Sequence, residues 1–566
     1  DRSGEYVIVF NGEIFNYLEL KQQYFSDDHP WRTTSDTEVL LELYIQQGPK
    51  CLDLLRGFFA LAIYSKKDSS LFLARDRFGK KPLYYHNNPD GTLAFASELD
   101  ALLAYQIPRE LDKVSVKQYL HFNYIPEPDT ILADVRRLPA GNYLQIGPKG
   151  HKLTRYYDIP RKPIDRSISY DQACQRLIDL LDESVRDRMV ADVPLGSFLS
   201  GGIDSSVVVS LATRYTDKLN TFSIGYTDNP FFDETHYAEL VAKKLDTRHH
   251  VFRLSNDDLH AELDNVLDSI SEPFADSSAI PLYILAKKTK QQVTVALSGD
   301  GGDELFAGYN KHKAEYALRR ANAFRPLARL MLPITRVLPA SRNSPAANKV
   351  RQVRKFLEGM LLSPQERYWN WAGFLSDEEA ASFLLPGGED RATYENRKKA
   401  ILKGYREVDS MRDFLLTDIG LVLQGDMLVK VDRMSMANGL EVRSPFLDHR
   451  VVEFALSLPD TFKIKGRMGK RIVQDAFRDR LPSEIYDRPK KGFEVPLLDW
   501  FRGSLRSRIE NIYLSDRFIQ EQGLFSPESV KVLKQRLFSS NPGDSVATTW
   551  ALIVFQHWWK RYAIKS

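Results

Sequence analysis

The 566-residue chain is 43% hydrophobic and 27% charged, an ordinary balance for a folded chain long enough to bury several cores. A net charge of +3 is too small to make nucleic acid or an anionic membrane the main partner, and no apolar run approaches the length of a membrane span. Two cysteines, Cys51 and Cys174, and eleven histidines in no zinc-ligand spacing exclude a disulfide framework and a cysteine-based metal site, and point to a reducing, cytoplasmic setting.

In chain order, the first predicted element is an apolar strand over residues 6–10, closed by the turn signal Asn11-Gly12. A start almost directly inside a strand predicts that a first segment is missing from the sequence. Helical spacing follows over residues 18–25. Ser35-Asp36-Thr37 then caps a second helix that runs to Gln47, with Val39, Leu40, Leu43 and Tyr44 on its apolar stripe. Short strands are expected at 58–64, 71–74, 83–86 and 93–97, and repeated strands with few helices make an α+β or sandwich-like layer. The proline-marked stretch Tyr156-Tyr-Asp-Ile-Pro-Arg-Lys-Pro163 reads as a connector. The expected division is a first domain over 1–155, a linker over 156–170 and a second domain over 171–566.

From Tyr170 the rhythm changes to helix and strand in alternation. Helices are predicted over 171–188, from 207 onward, over 234–244, near 259–270 and over 281–290. Strands are predicted within 192–198 and over 220–226, 250–254 and 292–297. Such alternation predicts an α/β domain with a doubly wound parallel sheet and ligands at the carboxyl ends of its strands. Beyond Tyr309 the chain reads as mostly helical. The basic run Arg319, Arg320, Arg325 and Arg329 is explained more simply by a solvated helix face than by nucleic acid. The aromatic stretch 550–562 reads as core.

Two loops of the alternating region carry chemistry. Leu199-Ser-Gly-Gly-Ile-Asp-Ser-Ser206 lies between a strand and a helix, where backbone N–H groups and the helix dipole favour a phosphate. The Lys-Ser/Thr ending of a Walker loop is absent; Asp204 offers a carboxylate suited to Mg²⁺, and Ser205 and Ser206 offer hydroxyls. Ser298-Gly-Asp-Gly-Gly-Asp-Glu304 follows the last predicted strand, on the same sheet edge if the sheet is parallel. Asp303 and Asp204 could then share one Mg²⁺ with the phosphates of a nucleotide. Alone, the second loop would read equally well as a turn of solvated acids. Val431-Asp-Arg-Met-Ser-Met436 and Glu441-Val-Arg-Ser-Pro-Phe-Leu-Asp448 fit buried ion pairs almost as well as substrate contacts. Arg488-Pro-Lys-Lys-Gly-Phe493 reads as a phosphate-facing loop or a solvated one.

The ordered set Asn11-Gly-Glu-Ile-Phe-Asn16, Ser35-Asp36, Arg75-Asp-Arg-Phe-Gly79, the two glycine loops and the motif ending at Asp448 resembles the glutamine-hydrolysing asparagine synthetases. The resemblance implies an N-terminal nucleophile glutaminase-like β-layer domain, then an ATP-pyrophosphatase domain with a helical C-terminal part. It implies glutamine, aspartate and ATP as small-molecule substrates, Mg²⁺ as cofactor, no nucleic acid, no membrane, and leaves room for a homodimer. By resemblance, Asn11 and Gly12 form an oxyanion hole, Glu13 lines the glutamine site, and Asp36 holds the glutamine amino group. ATP falls on Leu199, Ser200, Gly201, Gly202, Asp204, Ser205 and Ser206, with Ile224, Ser298 and Gly299 beside it. Mg²⁺ falls on Asp204 and Asp303. Asp300 stands where the family usually carries Glu to organise the adenylated intermediate, and Lys490 matches a lysine that steadies pyrophosphate. The sequence departs from the family at its start: position 1 is Asp, and neither Cys51 nor Cys174 can act as the N-terminal nucleophile, so either a first segment is missing or this member has lost glutaminase activity. Other readings keep the fold with a sugar carboxylate, a peptide or a β-amino acid as acceptor, or make the protein tRNA-modifying or non-catalytic.

Overall fold

Alternation along β2 (Gly57–Ser65) explains the N-terminal layers. Phe59, Leu61 and Ile63 point to one side, where they pack with Leu20, Val39, Leu40 and Leu43 from the helices Tyr17–Tyr24 and Asp36–Gln47. Ala60 and Ala62 point to the other, towards Leu83, Leu138 and a small second sheet. The computed structural model describes every residue except 89, 106, 149, 229–232, 321–324, 339–344, 387–389, 406–409, 487–494 and 563–566.

The larger N-terminal sheet runs β1 (Tyr6–Ile14), β2, β3 (Ser70–Arg75), β7 (Asn142–Gly147) and β8 (Gly150–Arg155), with every neighbour antiparallel. The smaller has the order β5-β4-β6, from β4 (Tyr84–Asn87), β5 (Leu93–Ala96) and β6 (Val135–Arg137). One expectation is corrected here. Asn11-Gly12 is not a turn but part of β1, with Asn11 opposite Ala60 and Gly12 opposite Phe59. A Cβ on Gly12 would sit 2.1 Å from the Phe58 carbonyl oxygen, so close strand approach, and not chain reversal, demands the glycine.

The second sheet is parallel throughout: β9 (Leu195–Phe198), β10 (Asn220–Tyr226), β11 (Arg248–Leu254), β12 (Val295–Leu297) and β13 (Glu441–Arg443), in the order β11-β10-β9-β12-β13. The strand order reverses between β9 and β12, so the loops that follow these two strands flank the crevice where open α/β sheets take ligands. Strand β13 was not foreseen; it is three residues long and lies more than a hundred residues beyond its partner β12. The helix expected near 259–270 is two, Asn256–Ala261 and Leu263–Asp268. The final helix Ser545–Tyr562 buries Trp550, Leu552, Phe555 and Trp558, as its aromatic content predicts for core. Arg319 departs from the expected solvated face, because its guanidinium donates to Glu315 (2.9 Å), the Ser410 carbonyl (2.7 Å) and Tyr405 (3.0 Å).

Candidate functional site

The first loop is built by hydrogen bonds that bend the chain from β9 into the helix Ile203–Ala212. Leu199 N–H donates to the Phe222 carbonyl (2.8 Å), after which the backbone turns at Gly201 with φ +69°. A Cβ at Gly201 would meet Ala238 N at 2.5 Å, so both the dihedral and the space require glycine. Gly202 is the N-cap of the helix. Ser205 Oγ accepts from Ser200 N–H (3.2 Å) and donates to the Gly202 carbonyl (3.2 Å), and Ser200 Oγ lies 3.1 Å from it. Ser206 Oγ is buried with no hydrogen-bond partner among the described residues. Ile224 is buried in the middle of β10.

The second loop lies directly against the first. A Cβ on Gly299 would fall 2.8 Å from Asp204 Cβ and Ser205 N, and one on Gly302 would fall 2.6 Å from the Asp204 carboxyl. The glycines of the second loop thus serve contact between loops. Ser298 N–H donates to the Arg443 carbonyl (2.9 Å), and its hydroxyl donates to Asp300 (2.6 Å) and sits 3.1 Å from Ser444 Oγ. Asp204 and Asp303 converge on one ammonium, that of Lys470, which is 2.7 Å from Asp303 and also hydrogen-bonded to Asp204. Burial works against the Lys470 charge, but the two carboxylates overcome it and raise its pKa. Glu304, next in the loop, is pushed up to about 7 by burial and then by Asp303, while Tyr309 donates to it at 2.6 Å. Asp204 and Asp303 are hard oxygen donors of the kind Mg²⁺ takes, and the position between them holds the Lys470 ammonium.

The N-terminal residues gather at the end of β1. Asn11 Nδ2 donates to Ser97 (3.1 Å), and Asp36 accepts from Ile14 N–H (2.9 Å), which holds it beside Asn11, Gly12 and Glu13. Burial and then Glu441 push Glu13 up to about 7 against the pull of Arg443, whose guanidinium is 3.7 Å away. This contact joins the two halves of the chain. So does Lys81, which pairs with Asp432 at 2.9 Å, and Arg433, which donates to Tyr84 at 2.5 Å and to the Glu272 carbonyl at 3.1 Å. Asp448 pairs with Arg188 (3.4 Å) and Arg450 (2.9 Å). Of the two readings of the 431–436 and 441–448 motifs, these bonds supply the ion pairs, two of them between domains.

Several charged residues were not singled out from sequence. Lys470 lies 266 residues from Asp204 and stands at φ +52° just before a short helix, so only a Gly-Lys step marks it. Lys80 is fully buried, its Nζ without a hydrogen-bond partner among the described residues, and the carboxylate that acts on it most strongly is Asp300. Burial pulls its pKa down. The loop that carries it is fixed by buried Asp76, which accepts from the N–H groups of Phe59, Phe78, Lys80 and Lys81 at 3.0–3.2 Å. Lys430 pairs with Asp276 (2.6 Å) and is also drawn by Asp426 and Asp300. Lys490 and the 488–493 motif fall outside the described residues.

An antiparallel β-layer is joined to a parallel sheet with two glycine loops at its switch point, and the similarities that follow make the chain a glutamine-dependent amide ligase. The glutamine amidotransferase domain model matches residues 1–157, and the asparagine synthase model matches residues 176–560. The chain is 33% identical over 558 residues to asparagine synthetase [glutamine-hydrolyzing] 1 of Bacillus subtilis, covering 98% of this chain and 85% of that protein. It is 33% identical over 566 residues to a putative asparagine synthetase of Mycobacterium tuberculosis, covering 98% and 84% of the two. It is 24% identical over 611 residues to amidase chyE of Penicillium rubens, covering 100% and 88%. The chain belongs to the asparagine synthase family.

Proposed function

We propose that the protein makes asparagine from aspartate, ATP and glutamine-derived ammonia. An oxygen of the aspartate side-chain carboxylate attacks the α-phosphorus of ATP, and the bond to pyrophosphate breaks. Ammonia then attacks the acyl carbon, AMP leaves with the bonding electrons, and the surplus proton passes to solvent. The observation that carries the reading is the convergence of Asp204 and Asp303 on the Lys470 ammonium at the switch point of the sheet.

In this reading the N–H groups of the first loop and the N-terminus of helix Ile203–Ala212 bind the phosphates. Asp204 and Asp303 would hold Mg²⁺, which neutralises phosphate charge when bound. Lys470, and by the family resemblance Lys490, stabilise negative charge on the departing pyrophosphate. Asp300, oriented by Ser298, faces the acceptor together with Lys80 and Lys430. In the N-terminal half, the Asn11 amide and Gly12 N–H stabilise an oxyanion, and Asp36 pairs with the glutamine ammonium.

The test is ATP–pyrophosphate exchange with the full chain and a panel of carboxylate acceptors. Exchange that depends on aspartate supports the reading. Exchange driven only by a sugar acid, a peptide or a β-amino acid keeps the adenylation chemistry and replaces the acceptor.

A further inference from the structure

The helix Arg325–Val337 is apolar on two sides. One side closes a small satellite core, in which Ala328 meets Leu318, Leu357 and Met360. The other carries Leu327, Leu330, Ile334 and Val337 at three- and four-residue spacing, and these are 50%, 72%, 64% and 86% exposed. Water-facing aliphatic residues in such a continuous stripe do not belong to an ordinary solvated helix, which turns its apolar face inward and its polar face out.

Charge selects what could cover the stripe. Residues 325–355 contain eight Lys or Arg and no Asp or Glu, a local excess that the chain-wide net charge of +3 conceals. Arg329 is exposed on the same helix, and Arg325, also exposed, donates to the Met360 carbonyl at 3.1 Å. A second copy of this face would set positive charge against positive charge. Nucleic acid would meet the arginines but offer nothing to Leu330 or Ile334. An anionic bilayer surface satisfies both, with acyl chains for the aliphatic stripe and headgroups for the guanidinium groups. Thirteen residues reach only about 20 Å as a helix, and no helix among the described residues is long and apolar enough to cross a membrane, so the helix would lie in the interface plane.

We propose that the outer face of helix Arg325–Val337 docks this protein on anionic phospholipid bilayers. The experiment is sedimentation of the full chain with vesicles of phosphatidylcholine alone or mixed with phosphatidylglycerol, at low and high salt. The expected result is binding to the mixed vesicles, weakened at least about fivefold by high salt and by L330E/I334E, with the circular dichroism of that variant unchanged. A V337W variant provides a second readout: its emission should shift to the blue with mixed vesicles and not with phosphatidylcholine alone. No sedimentation with mixed vesicles, or equal sedimentation of L330E/I334E, would overturn the proposal. Light scattering that shows a dimer dissolved by L330E/I334E would assign the face to a second copy and overturn it as well.

Discussion

Charges are paired in two different ways in this molecule. At the glycine loops, Asp204 and Asp303 share Lys470 within a single domain; at the seam, Lys81 meets Asp432, and Glu13 meets Arg443, across domains. Two carboxylates raised to about 7 show the same division. Glu304 owes its shift to burial and Asp303 inside the site, whereas Glu13 owes its shift to burial and Glu441 on the opposite domain. The difference predicts which function fails when each set is broken. Damage to the first set should stop activation of the acceptor, and damage to the second should uncouple ammonia supply from a working synthetase half.

The largest expected effect is at the two carboxylates that share Lys470. D204N and D303N should each lower ATP–pyrophosphate exchange by about a hundredfold or more, because a carboxylate that would hold Mg²⁺ against the phosphates is lost. A loss below tenfold in the folded variants would remove these carboxylates from the chemistry. At the seam, D432N leaves the buried Lys81 ammonium without its partner, which costs about 3–5 kcal/mol where a pair is fully buried. In a form that carries the N-terminal nucleophile, glutamine-driven turnover should fall by about tenfold, while turnover with added ammonium salt changes little; equal losses with both donors would contradict a coupling role.

A smaller effect is expected at Lys80, whose buried ammonium has no hydrogen-bond partner among the described residues. K80M should raise the acceptor KM by several-fold and leave the ATP KM unchanged, and should raise the melting temperature because an unpaired buried charge is removed. A fall in melting temperature with both KM values intact would make Lys80 merely structural.

The smallest effect is on pH dependence. Glu304 has a folded-state pKa of about 7, raised from 4.5, so the folded state binds the extra proton between these values. Its contribution is present in full below the unfolded pKa and is lost as pH rises through the folded one. E304Q should flatten the decline of stability from about pH 5 to 7 by up to about 3 kcal/mol, measured by urea unfolding. An unchanged slope would show that Glu304 ionises normally.

Local signals were legible in the sequence, and long-range ones were not. Strand β10 and the cap at Ser35 could be read because alternation, spacing and a side-chain hydrogen bond act within a few residues. The two glycine loops could be read because a strand, glycines and an acid coincide in order. Asn11-Gly12 misled because the dipeptide favours turns, and only the partner strand reveals that Gly12 is needed for close approach. Lys470 and the Lys81–Asp432 pair were beyond reach because each joins residues hundreds of positions apart. The helix Arg325–Val337 falls in the stretch read only as mostly helical, and periodicity does not tell which apolar side stays exposed.

The account rests most directly on acceptor-dependent ATP–pyrophosphate exchange, measured in the unmodified chain and in D204N. Exchange that requires both ATP and aspartate, and that disappears in D204N, is the predicted result. Exchange that ignores aspartate and every other carboxylate, or that persists in D204N, would contradict it.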